Sequence, residues 1–147
     1  KNNHLLWVCN EIYFVNKEDM MNKNLIPVST SEAPAAIGPY SQAIIANGIL
    51  YASGQIPVNP SIGEVDGTDI STQTLRVMKN IDAVLKTAGT DFESVVSTTC
   101  FLADMNDFAE FNRIYAEYFV SKPARCCVAA KQLPKNVLCE IGFTALV

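Results

Sequence analysis

The sequence predicts an α+β fold, a two-layer sandwich in which a mostly antiparallel six-stranded sheet carries two helices on one face. Three observations lead there. Asn47-Gly48 stands between two apolar runs, the strongest short hairpin signal a sequence can carry. Two longer stretches repeat apolar residues at helical spacing. The other apolar runs are short, β-branched and bounded by turn residues. Hairpin-linked strands accompanied by only two helices point to helices gathered on one side of the sheet.

In chain order, residues 25–28 read as a short additional strand, and residues 41–46 and 49–53 as the two arms of the Asn-Gly hairpin. Pro57, Asn59, Pro60 and Gly63 mark an irregular loop. Over residues 71–88, Leu75, Met78, Ile81, Val84, Leu85 and Ala88 give one buried helical face, and Gly89 stands where a C-terminal cap belongs. Residues 95–102 are β-branched and read as a strand. Asp107 followed three residues later by Glu110 is an N-terminal capping pattern, and the helix it opens carries Phe111, Ile114, Tyr115, Tyr118 and Phe119 on one side. Pro123 lies past its end. Residues 124–130 and 137–147 are the closing strands, joined by a short turn containing Pro134.

Composition narrows the function. With 147 residues, 49% of them hydrophobic and 18% charged, the chain suits one ordered domain with a sizeable core. A net charge of -4 argues against a protein that works through a phosphate-binding surface, so nucleic acid is a disfavoured partner. Lys122, Arg125, Lys131 and Lys135 lie close in sequence and read as a solvated strand end and turn. The single histidine, His4, lies outside the recognisable domain. That removes Ser-His and Cys-His nucleophile pairs and His-containing zinc sets, and no Gly-rich phosphate loop is present. Neither a metal nor a cofactor is expected.

The five cysteines are odd in number and lack C-x-x-C spacing. Adjacent Cys126 and Cys127 point to opposite faces of a strand and are poor disulfide partners. Reduced thiols in a cytosol-like compartment are the expectation, a cytoplasmic location with the mitochondrion as the alternative. No run is long enough to span a membrane as a helix. Residues 1–25 read as an N-terminal extension of unknown role, with Met20 or Met21 a natural start for the single domain over residues 26–147.

The stretch most informative for chemistry is Pro123-Ala124-Arg125-Cys126-Cys127-Val128, then Leu133-Pro134-Lys135, then Cys139-Glu140-Ile141. Each of its two apolar strands carries one charge, Arg125 and Glu140. Charged side chains are rarely buried unless paired or used, and Arg grips a carboxylate with two parallel hydrogen bonds. Two readings stand: a structural ion pair, or a pocket for a small carboxylic acid. If the turn at residues 133–136 pairs odd with even positions, Arg125 and Glu140 share a sheet face. Gly142 leaves space beside Glu140. Cys127 reads as a small buried hydrophobe, Tyr40 as a loop aromatic, Ser53-Gly54 as a strand end or a place where backbone can approach a ligand, and Asn106 as a turn or cap residue.

This signature resembles the C-terminal part of the RidA (YjgF-type) reactive-intermediate deaminases. Ala33-Pro34-Ala35-Ala36-Ile37-Gly38-Pro39-Tyr40-Ser41-Gln42-Ala43, Ser53-Gly54-Gln55-Ile56-Pro57 and Asp104-Met105-Asn106-Asp107-Phe108 resemble the same family in the same order. The resemblance runs from about Ser31 to Val147. It implies a chorismate-mutase-like (YjgF-like) fold, assembled as a homotrimer with the sheets facing a central core and a site between subunits. It implies hydrolysis of 2-imino and 2-enamino acids (2-aminoacrylate, 2-aminocrotonate) to 2-oxo acids and ammonia, with a functional link to pyridoxal-phosphate-dependent serine and threonine dehydratases. It implies that Arg125 holds the substrate carboxylate, Glu140 positions water, Cys127 binds the ligand mainly through its backbone amide, and Tyr40, Ser53, Gly54 and Asn106 border the pocket. Two alternatives stay open: an endoribonuclease or translation inhibitor, and a non-catalytic small-acid-binding chaperone or regulator. The segment Val120-Ser121-Lys122 is shorter than the connection common in such proteins.

Overall fold

The computed structural model describes residues 3–8, 11–16 and 24–147. Strands β1 (Asn3–Val8) and β2 (Glu11–Asn16) pair antiparallel as a separate two-stranded sheet. The expected domain start at Met20 or Met21 lies outside the described residues.

The second sheet contains β3 (Leu25–Val28), β4 (Ala43–Ala46), β5 (Ile49–Gln55), β6 (Val95–Leu102), β7 (Ala124–Ala129) and β8 (Cys139–Leu146), in the spatial order β3-β4-β5-β8-β6-β7. Every ladder is antiparallel except β6–β7. The β4–β5 turn is built as its dipeptide predicts: Asn47 and Gly48 have φ of 52° and 74°, the left-handed pair a two-residue hairpin needs.

Helix α1 (Ile70–Ala88) starts one residue before the apolar pattern does. Asp69 caps it, accepting from the Thr72 amide at 2.9 Å, and Gly89 ends it at φ 80°. Val77, Met78, Ile81, Val84 and Leu85 are buried against the sheet. Leu75, expected on that face, is instead 38% exposed. Helix α2 (Phe108–Tyr118) does not use its expected cap: Asp107 makes no side-chain capping bond. Asp104 instead caps the 3-10 turn before it, accepting from the Asn106 amide at 2.8 Å, and Glu110 bonds Arg113 and Ser71.

Burial alternates along β8: Cys139, Ile141, Phe143 and Ala145 face the helices, while Glu140, Gly142 and Thr144 face away. Both helices lie on one side, and among the described residues of the domain nothing covers the opposite face. It presents Tyr51, Thr99, Phe101, Val128 and Leu146, with Tyr51 51% and Leu146 55% exposed.

One expectation about the closing strands is overturned. β7 and β8 are not a hairpin; β6 lies between them and pairs parallel with β7. The cause is the crossover helix: β6, α2 and β7 form a strand–helix–strand unit, whose geometry brings the second strand back parallel to the first. The turn at residues 133–136, with Lys135 and Asn136 at φ of 54° and 56°, then carries the chain past β6 into the slot beside β5.

Candidate active site

The sheet register separates the two charged residues. Arg125 pairs with Thr98, which in turn pairs with Phe143, and both of those are buried on the helix side. Glu140 pairs with Phe101 on the opposite face. The expectation that they share a face is therefore corrected, because β6 intervenes and resets the parity. Neither residue takes part in an ion pair among the described residues. Two strand spacings across and three residues along put their Cα atoms roughly 14 Å apart, with side chains diverging.

Glu140 sits against Gly54. A Cβ on Gly54 would fall onto the Glu140 carboxylate and within 2.7 Å of its Cδ, so only glycine leaves that side chain its place. The β5–β8 ladder slips between Ala52 and Gln55, a bulge that brings Ser53 and Gly54 to this point. The Ser53 hydroxyl is turned away, donating to the Ser41 carbonyl at 2.6 Å. The Glu140 carboxyl is half-buried and has no hydrogen-bond partner among the described residues. Burial alone pushes its pKa above the usual 4.5.

Gly54 also lines a cleft of about 250 Å³ with Pro34, Ile37, Tyr40, Ile56 and Lys135. Its upper wall is the segment before β4, held by Gln42. That buried side chain donates to the carbonyls of Thr30, Ala33 and Pro34 and accepts from the Thr30 amide. The sequence signal for it was a lone amide in an apolar strand. Tyr40 is 52% exposed at the mouth.

Arg125 occupies a second place, on edge strand β7. Its Nη1 donates to Asn112 Oδ1 at 2.6 Å, and its guanidinium lies 4.6 Å from the centre of the Tyr115 ring and 5.6 Å from that of Phe108. With Lys122, Pro123, Asn112, Tyr115 and Phe119 it borders a cleft of about 390 Å³. Cys127 faces the same side; burial raises its thiol pKa, which disfavours a thiolate nucleophile. The Ala130 amide bonds Leu102 of β6, so by alternation the N–H of Cys127 points out along the free sheet edge. Asn106 is exposed and spends its amide and side chain on Asp104, as a turn residue does.

The structure thus places Tyr40 and Gly54 on one cleft with Glu140 against Gly54, and Arg125 and Cys127 elsewhere, with Asn106 held in its own turn. Asn112 beside Arg125 was not foreseen; its signal is an amide at i−3 from Tyr115 on the face of α2 that otherwise packs.

A six-stranded mixed sheet with two helices on one face is the arrangement of one known class. The endoribonuclease L-PSP family model matches residues 30–147, and the chain belongs to this family, the YjgF/RidA proteins. The human protein named 2-iminobutanoate/2-iminopropanoate deaminase is 44% identical over 120 residues, covering 81% of this chain and 88% of its own. A RutC family protein of Pyrococcus horikoshii is 51% identical over 119 residues, covering 80% and 94%. The crystal structure of YyfA, a Rid family protein of Yersinia pestis, superposes with a TM-score of 0.82 at 51% identity, covering 84% of this chain and 99% of that one.

Proposed function

We propose that this protein hydrolyses 2-imino acids, and their 2-enamino tautomers, to 2-oxo acids and ammonia. The observation that carries the reading is Glu140: a half-buried carboxyl without a partner among the described residues, set against a glycine, with its pKa raised by burial. A carboxylate in that state is suited to take a proton from water. Arg125 holds the substrate carboxylate through its free N–H edge, and the outward amide of Cys127 supplies a further donor. Water, deprotonated by Glu140, adds to the imine carbon. That proton passes to the imine nitrogen, giving a carbinolamine; as its C–N bond breaks, the hydroxyl proton moves to nitrogen, releasing ammonia and leaving the 2-oxo acid. The 44% identity to a protein named for this activity supports it. The reading calls for no cofactor.

Because Arg125 and Glu140 diverge within one chain, one site in this reading draws Arg125 from one copy and Glu140 from another. A homotrimer joined through the uncovered sheet faces would provide such clefts and remove Tyr51, Val128 and Leu146 from water. Serine and threonine dehydratases would supply the substrates.

The test is a coupled assay in which a threonine dehydratase generates the imine and 2-oxo-acid formation is followed with the wild type beside Arg125→Ala. Acceleration by the wild type alone supports the reading. No acceleration by either protein removes the enzyme and leaves a small-acid-binding role.

A further inference from the structure

Helix α2 presents one stripe to Arg125. Phe108, Asn112 and Tyr115 follow at intervals of four and three residues, so they line one helical face. Each touches the guanidinium: Asn112 Oδ1 accepts from Nη1 at 2.6 Å, and the two rings lie 4.6 and 5.6 Å away. The Tyr115 ring is itself fixed. Its hydroxyl shares a hydrogen bond of 2.8 Å with Thr98 Oγ1, and it stacks on Phe119 at 4.3 Å. Asn112 thereby engages Nη1 and the two rings flank the guanidinium; it makes no other hydrogen bond among the described residues, so its remaining N–H groups are left for a planar anion.

The acceptor on α2 is an amide where a carboxylate would also fit. A carboxylate at 2.6 Å would neutralise Arg125 and compete with an incoming acid. An amide orients the group and leaves its charge intact. The neighbouring acids of the same helix are kept occupied, since Arg113 bonds Glu110 at 2.9 Å and Glu117 at 2.8 Å.

We propose that Asn112 and Tyr115 are positioning residues that pre-orient Arg125, and that the uncharged amide at 112 keeps Arg125 free to take the substrate carboxylate. This rests on the reading of Arg125 as the carboxylate grip. Tyr115 supplies the platform and Asn112 the orienting bond; neither touches the substrate.

The test measures 2-oxobutanoate binding by calorimetry and imine turnover for the wild type, Arg125→Ala, Asn112→Ala and Asn112→Asp, with thermal melting of each. Asn112→Ala raises Kd and KM together by roughly tenfold, the worth of one charge-assisted bond, with kcat within about twofold. Asn112→Asp keeps an acceptor of the same shape and should melt no lower than the wild type, yet raises Kd more than Asn112→Ala does. A purely structural role gives the reverse order, with Asp tolerated and Ala harmful. An Asn112→Asp protein that binds 2-oxobutanoate as the wild type does overturns the inference, and should that variant not fold, an unchanged KM in Asn112→Ala does so instead. If Arg125→Ala binds like the wild type, the carboxylate grip itself fails and this inference falls with it; if only the Asn112 variants are silent, the grip stands alone.

Discussion

Arg125 and Glu140 project from opposite faces of one sheet, with β6 lying between their strands. The proposed reaction therefore needs Arg125 from one copy and Glu140 from another, and complementation between copies is the direct measure. Arg125→Ala and Glu140→Gln chains, each inactive alone, should regain about a quarter of wild-type activity when co-assembled one to one, since one cleft in four draws both intact residues. Mixed assemblies with no activity would show that Arg125 and Glu140 do not meet in a shared cleft.

Glu140 gives a pH signature. Its pKa is raised, so the proton-accepting form is reached only above the ordinary carboxylate range. Turnover at saturating substrate should rise with pH on a limb lying above 4.5, and Glu140→Gln should flatten that limb and cut kcat roughly a hundredfold, within the span of general-base effects. For stability the sign is opposite. The folded state binds the proton more tightly than the unfolded one, so ionising Glu140 opposes folding as pH rises past its unfolded value. Glu140→Gln should therefore melt higher than the wild type at pH 7, and the difference should vanish by acidification.

Gly54→Ala tests the close approach. The added methyl meets the Glu140 carboxyl and displaces it. We expect kcat to fall by roughly a hundredfold, the scale of a 1 Å misplacement, while 2-oxobutanoate affinity changes little. Turnover within twofold of the wild type would mean that Glu140 has no fixed task there.

Cys126 reports on the uncovered face. It pairs with Thr99 and is exposed in the single chain. Burial pushes Cys100 and Cys139 up to about 12, so both should resist alkylation. Site-resolved iodoacetamide labelling should find Cys126 protected in the assembled protein and fast to react after dilution to the monomer. Equal labelling in both states would place the assembly contact elsewhere.

Much of the fold was legible because its signals are local. The Asn47-Gly48 turn, the Gly89 helix end and the apolar stripe of α1 each depend on residues within a few positions of one another. The closing strands were misjudged because two apolar runs joined by a short Pro-containing turn look like a hairpin whether or not another strand intervenes. The corrective signal was the strand–helix–strand order from β6 through α2 to β7, which favours parallel pairing and leaves β8 to seek another neighbour. Arg125 and Glu140 were visible as charges in apolar strands. Their divergence was not, since facing depends on register across three strands. Asn112 was hidden because a single amide on a helix acquires meaning only from the strand beneath it.

The position of β8 bears on how the chain folds. It is the final strand in sequence, yet it occupies the middle of the sheet, joining the β3–β5 meander on one side to the β6–β7 pair on the other. Ile49 meets Leu146 across that seam, so one of the sheet's inner ladders joins residues nearly a hundred positions apart. Until β8 docks, two half-sheets expose facing inner edges, each a template for a wrong neighbour. The central seams of the sheet thus wait on its last strand, and a lesion in β8 would leave two separate fragments of sheet where a lesion in β3 would only trim an edge.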